Sequence, residues 1–185
     1  MNFDLAAVFA GRAQLSDLTS DLKHADLRRI TDEFFDTINS ILAAATDAAV
    51  SFVPRDPAAS DQSGQGWTLS HIVAHLTATL EESAAIAAMV ARGVQFEGRL
   101  RYETPWQEIS TLQLLQARLR ESRRMCCAFL EAWPDNPHLD VTRTMIPQLG
   151  PINAVGCQVL GLAHSQAHLD QLRDTLCQYL SSVDA

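Results

Sequence analysis

The sequence predicts an all-α fold: a four-helix bundle with a short extra helix at its N-terminus. Four long segments carry apolar residues at i, i+3 and i+4 spacing, which is typical of helices that bury one face. No segment alternates apolar and polar residues as a strand does, and no repeat of fixed period is present. The chain has 185 residues with 47% hydrophobic content. One domain over residues 1–185 is therefore expected, with its core in 25–181.

Composition and charge exclude several classes of function. The formal net charge is −8 at pH 7 and the sequence pI is about 5.1. An acidic chain without a basic cluster is a poor binder of nucleic acid or of a membrane surface. No apolar run reaches the roughly 18 residues that span a bilayer, and the N-terminus lacks the features of a secretory signal. The four cysteines form no CxxC pair, so reduced thiols and a cytoplasmic location are expected.

The N-terminal third of the chain predicts one short and one long helix. A short helix is expected over 5–10, before Gly11. The first long helix is expected over 26–50, because its apolar residues keep helical spacing for several turns and Pro54 lies beyond its end. Residues 51–66 are rich in Pro, Gly, Ser and Asp and have no periodicity. They predict a loop at one end of the bundle.

The second and third helices carry recognisable end signals. The second is expected to begin after Thr68, a good N-cap, and to stop at Gly93. The third is expected to begin at Ser110, which fits a capping box with Gln113 three residues later. Pro134 ends its apolar periodicity.

The fourth helix is predicted over 151–181 and contains His164 and His168. Residues four apart lie on the same helix face, with about 5–6 Å between their Cβ atoms. Leu160 and Leu172 continue this row on either side, so two imidazoles interrupt an apolar row. They are either core-edge histidines bonded to a carbonyl group or a water molecule, or part of a site.

The second helix carries a similar pair, His71 and His75. At roughly 100° per residue, His75 falls nearer the buried stripe and is the better candidate to point into the bundle. Bundles build metal sites from side chains on facing helices. Three neutral imidazoles suit Zn²⁺, Ni²⁺ or Fe²⁺ and leave positions open to water or substrate. Neither pair is HExxH, so a zincin-type peptidase is excluded.

Two short motifs resemble the DinB-like superfamily of four-helix bundles, which includes thiol-dependent S-transferases and maleylpyruvate isomerase-type proteins. The stretch 66–76, GWTLSHIVAHL, resembles the family's Trp-Ser/Thr box followed by a ligand histidine. The stretch 164–171, HSQAHLDQ, resembles its two fourth-helix histidines followed by Gln. The resemblance covers about residues 25–180. It implies a divalent metal held by His75, His164 and His168, and a low-molecular-weight thiol as a further cofactor.

Two positions depart from the family pattern. The family often has an acidic residue where His71 stands, and many members have Gly where Asp170 stands. His71 is thus a fourth ligand, a partner of a ligand or a surface residue. The carboxylate of Asp170 either orients a ligand histidine or faces water.

The resemblance implies a metal-dependent enzyme that activates a thiol or water for a small-molecule substrate, either thiol S-transferase-like or hydrolase-like. The alternative is a non-catalytic, stress-related binding bundle with a structural or vestigial metal site. A third hypothesis is a helical interaction protein without metal. A homodimer is also considered, with Trp106 or Phe96 at its interface. The alternative for these two side chains is packing against their own domain.

Overall fold

The computed structural model describes residues 3–56, 64–95 and 97–183, and most of these residues are helical. They form no β-strand; one antiparallel bridge pairs Arg143 with Ile152. The all-α prediction is confirmed. The helices are α1 (Leu5–Phe9), α2 (Leu15–Thr19), α3 (His24–Ile41), α4 (Asp47–Val50), α5 (Leu69–Ala91), α6 (Leu112–Glu131), α7 (Ala154–Gln166) and α8 (Leu169–Val183).

The bundle is formed by α3, α5, α6 and α7, and α5 and α7 are its most buried helices. Helix α5 packs against α6 and α7, and α3 packs against the same two helices, which closes the ring. The α5–α7 contact is close because Gly161 faces α5: a Cβ atom there would lie 2.4 Å from the Cβ atom of Ser83. This close approach places the C-terminal end of α7 beside the middle of α5.

The N-terminal part has shorter helices than the sequence predicts. Two short helices, α1 and α2, precede the bundle instead of one. The first long helix ends at Ile41 and is followed by a 3₁₀ turn and by the separate helix α4. Thr46 has an extended backbone and its hydroxyl accepts a hydrogen bond from the Ala49 N–H group. It thereby caps a new helix and does not continue the first.

The third long helix starts one residue later than predicted. Thr111, not Ser110, is the N-cap, and its hydroxyl accepts from the N–H group of Leu114 at 3.2 Å. The N–H group of Leu112 donates to the Asp47 carboxylate at 2.8 Å. The capping box expected at Ser110 is therefore wrong. A carboxylate from α4, distant in sequence, satisfies a donor of the first turn.

The predicted fourth helix is two helices in the structure. The N–H group of Ala167 donates to the His164 carbonyl at 3.2 Å, and that of His168 donates to the Ser165 carbonyl at 3.1 Å. These i→i−3 bonds tighten the chain into a turn between α7 and α8. No Gly or Pro marks the turn, which is why the apolar periodicity across it predicted one continuous helix.

Three of the four cysteines are part of the packed interior. Cys126, Cys127 and Cys157 are buried, Cys177 is exposed, and all four are free. Burial raises the pKa of the Cys126 and Cys157 thiols to about 12. Both remain protonated at neutral pH.

Among the described helices, none combines the length and the apolar character needed to cross a bilayer.

Candidate metal centre

Three histidines from two parts of the chain meet beside the α5–α7 contact. His75 lies on α5, His164 in the last turn of α7, and His168 in the turn before α8. One ring nitrogen from each lies within 4.8 Å of the other two. The Nε2 atoms of His75 and His164 are 3.1 Å apart. The structure brings the three predicted ligands together, and they could hold a metal ion. We call these three residues the histidine cluster.

His168 is oriented by a chain of two hydrogen bonds. Its Nδ1 atom lies 2.8 Å from the Gln171 side-chain carbonyl oxygen. The Gln171 amide in turn donates to an Asp56 carboxylate oxygen at 2.8 Å. Because the carbonyl can only accept, Nδ1 carries the hydrogen and Nε2 keeps its lone pair. Asp56 fixes which end of the amide faces His168, and so selects the tautomer that can bind metal through Nε2.

The other side of the site is charged. Arg101 places Nη2 3.2 Å from the His75 Nδ1 atom and donates to Glu103 at 2.6 Å and to the Thr79 hydroxyl at 2.7 Å. One Glu103 oxygen lies 3.9 Å from the same Nδ1 atom. A loop segment therefore brings a cation and a carboxylate to the edge of the histidine cluster.

The two helix-borne histidines are neutral at physiological pH. Burial, followed by the charge of Arg101, lowers the pKa of His75 to about 4. His164 is the most exposed of the three, but desolvation of its ring by neighbouring groups also lowers its pKa. Neutral imidazoles keep the lone pairs that a metal needs. The donor set thus fits a borderline divalent cation such as Zn²⁺, Ni²⁺ or Fe²⁺.

The fourth nearby histidine, His71, is held between two indole rings. Its ring stacks on Trp67 with 4.2 Å between centroids and on Trp106 with 5.2 Å. Trp67 also lies parallel to the His168 ring at 6.0 Å. His71 is not one of the three clustered residues, and Trp67 forms an aromatic wall between it and His168.

The three histidines of the two sequence motifs are thus close enough together to hold one metal ion. A family model described as the DinB superfamily matches residues 7–172. The chain belongs to the DinB superfamily. Searches among curated proteins and among solved structures gave no match.

In this DinB-superfamily chain the two residues that depart from the family pattern, His71 and Asp170, both have defined contacts. Asp170 is exposed and pairs with Arg173 at 2.7 Å, so it does not orient His168. Gln171 has that contact instead. Trp106 stacks on His71 and packs against the core, while Phe96 lies outside the described residues. The homodimer remains a prediction.

Three residues at the site were not identified from the sequence. Asp56 lies in a loop 115 positions from Gln171, and Arg101 is 26 positions from His75. Glu103 follows Arg101 in the same irregular segment. None stands in a periodic pattern or a known motif, so no sequence signal marked them.

Proposed function

We propose that this protein is a metal-dependent enzyme in which His75, His164 and His168 hold one divalent cation that activates a thiol or a water molecule. The observation that carries the proposal is the clustering of three ring nitrogens within 4.8 Å at the end of a cavity of about 520 Å³. A divalent cation held there, Zn²⁺ or Ni²⁺ and less readily Fe²⁺, lowers the pKa of a bound thiol or water and supplies a nucleophile near neutral pH. Three protein ligands leave a coordination position for it.

The surrounding residues have distinct roles in this proposal. Gln171 holds the tautomer of His168, and Trp67 excludes water from one side of the cluster. Among the described residues no cysteine belongs to the cluster, so in this proposal the thiol is a separate low-molecular-weight compound. In the transferase version its sulfur forms a bond to an electrophilic carbon, the leaving group departs with the electron pair, and the thiol proton passes to solvent.

The second candidate is a non-catalytic binding bundle with a structural metal. It is favoured by the position of the cluster, where α5, α7, α8 and the loop segment that contains Asp56 come together. A structural zinc site normally has four protein ligands. The nearest additional histidine, His71, is sandwiched between Trp67 and Trp106. This arrangement supports the enzyme over the structural site.

Metal content tests the proposal first. We expect about one divalent ion per chain in the purified protein and none in the His164→Ala, His168→Ala double variant. His138→Ala is the matched control, because His138 is an exposed histidine outside the cluster, with its Nδ1 atom 3.9 Å from the Asp140 carboxylate. A wild-type protein that holds no metal, even after incubation with Zn²⁺ and Ni²⁺, would refute both the enzyme and the structural site.

A thiol titration separates the two candidates. The Co²⁺-loaded protein is titrated with 2-mercaptoethanol while its near-ultraviolet spectrum is recorded. A sulfur-to-cobalt charge-transfer band is expected if a coordination position is open to a thiol. If no band forms and removal of the metal unfolds the protein, the site is structural.

A further inference from the structure

A cavity of about 520 Å³ extends from the histidine cluster along the α5–α7 contact. His75 and His164 line one end of it. Gly161 lines it from α7, where the helices approach most closely. A molecule bound in this cavity would therefore reach the histidine cluster with one end, and its remaining atoms would contact the cavity walls.

One wall is the irregular segment 99–103, in which charged side chains line the cavity and two large apolar side chains are exposed. Arg99, Arg101 and Glu103 line the cavity. Arg101 is the most buried of the three, with 17% of its side chain exposed against 72% for Arg99. Leu100 and Tyr102 are 43% and 72% exposed, although burial of apolar side chains is favourable. A wall that offers charged groups to the cavity in their place suits a polar ligand.

Ion pairs hold this wall rigidly on α5. Glu82 is only 5% exposed and accepts hydrogen bonds from the Arg99 guanidinium at 3.0 and 2.5 Å and from the Leu100 N–H group at 3.2 Å. Arg101 is tied to Thr79 one turn earlier on the helix. The charged wall is thus preorganised, and a ligand need not order it.

The charge of the cavity is opposite to that of the protein. Three arginines (Arg99, Arg101 and Arg143) and two glutamates (Glu82 and Glu103) line it, so the formal sum is +3 − 2 = +1, in a chain whose net charge is −8. A cation on the histidine cluster would make the cavity more positive. A guanidinium has five N–H donors, so an arginine paired with one carboxylate can also bind a second anion. A partly enclosed positive cavity attracts anions selectively.

Part of the cavity surface is apolar. It is formed by Ile86, Leu160, Met145 and Ile146, of which Ile86 and Leu160 belong to the buried core. We infer that the cavity binds a small organic acid, with its anionic group at the three arginines of the cavity and its hydrocarbon part on this apolar surface. The inference names the substrate class of the metal site and so rests on the proposed function.

Binding of hexanoate and of its neutral isostere hexanamide tests the inference. Both are titrated calorimetrically into the full-length protein, once metal-free and once loaded with Zn²⁺. We expect hexanoate to bind both forms and hexanamide to bind at least about tenfold more weakly, since hydrogen bonds to a charged group are lost. Equal binding of the two compounds, or binding of neither, would overturn the inference.

Arg143→Gln tests whether the arginines of the cavity recognise the anion. Arg143 donates to the Gly98 carbonyl, and Gln retains an N–H donor for that contact, so the fold should be preserved. Hexanoate affinity is expected to fall about tenfold in both forms. Arg124→Gln is the control, because Arg124 is an exposed, ion-paired arginine on α6, and should leave affinity unchanged.

Two further outcomes separate this inference from the proposed function. Hexanoate that binds only the Zn²⁺-loaded protein, with no effect of Arg143→Gln, would be a simple metal ligand and would overturn the inference. Failure of the protein to take up Zn²⁺ would refute the proposed function. The metal-free titration would then decide on the anion site by itself.

Discussion

Replacement of Asp56 by Ala is expected to weaken metal binding, although Asp56 is not one of the clustered histidines. Asp56 accepts a hydrogen bond from the Gln171 amide, and the Gln171 carbonyl accepts from Nδ1 of His168. Without the carboxylate, the amide is free to rotate and present its N–H₂ group to Nδ1. That orientation stabilises the tautomer with its hydrogen on Nε2, which has no lone pair there for a metal.

The size of the effect follows from the strength of these contacts. A hydrogen bond to a charged partner contributes about 1.5–3 kcal/mol, and loss of a group that orients a metal ligand typically weakens affinity about 10- to 100-fold. Asp56 acts on His168 only through Gln171. We therefore expect about tenfold weaker binding, or about 1.4 kcal/mol, for Asp56→Ala. For Gln171→Ala we expect up to about a hundredfold.

Two measurements check this expectation. Competition between the protein and a chromogenic chelator for Zn²⁺ yields the affinity of each variant. The ¹⁵N chemical shifts of His168 in the metal-free protein report the tautomer directly, so the orienting chain can be tested even if no metal binds. Wild-type affinity together with an unchanged His168 tautomer in Asp56→Ala would refute the reasoning.

Asp170→Ala is the matched control. Asp170 is a neighbouring carboxylate next to Gln171 in sequence, but it is 90% exposed at its side chain and pairs with Arg173. An exposed ion pair of this kind contributes little to stability. Affinity and tautomer should both stay at the wild-type values. A loss equal to that of Asp56→Ala would show that general electrostatics, and not the orienting chain, controls the site.

Other parts of the molecule lead to three further expectations. The pKa of His75 is about 4 in the folded protein, against an ordinary value of 6.5. The unfolded chain therefore binds a proton at this residue first as the pH falls. The metal-free protein should lose about 3 kcal/mol of stability between pH 7 and pH 4. Denaturant titrations should show a shallower loss in His75→Gln, and an equal loss in both would contradict the cause assigned to the shift. Gly161→Ala should lower the free energy of unfolding by about 1–3 kcal/mol, because the added methyl group clashes with Ser83. The double variant with Ser83→Gly should recover part of this stability. A melting temperature of Gly161→Ala equal to that of the wild type would argue against the close helix contact. Indole emission should fall when Ni²⁺ binds, because Trp67 lies 5.1 Å from the ring of His75, and quenching of the same size in Trp67→Phe would show that another indole reports the metal.

The positions of the long helices follow mainly from local physical chemistry. The apolar spacing and the Thr68 cap are local properties, and the structure retains both in α5. Local patterns failed at two helix boundaries. The cap of α6 includes a carboxylate from Asp47. The turn between α7 and α8 interrupts a row whose periodicity is continuous, and His168 within that turn is bound to Gln171.

Apolar residues at short, regular spacings were enough to predict the all-α class, because helical geometry converts such spacings directly into shared faces. The resemblance of two short motifs implied the DinB superfamily, which a family model matches. It also implied a set of three histidines, which the fold places together. Three other features became visible in the folded chain alone: Asp56 orients the Gln171 amide, Trp67 and Trp106 enclose His71, and a charged segment at 99–103 walls the cavity. These contacts join loops to helices that are far apart in sequence. The residues come together only when the whole bundle has folded, so a local sequence pattern cannot predict the contacts.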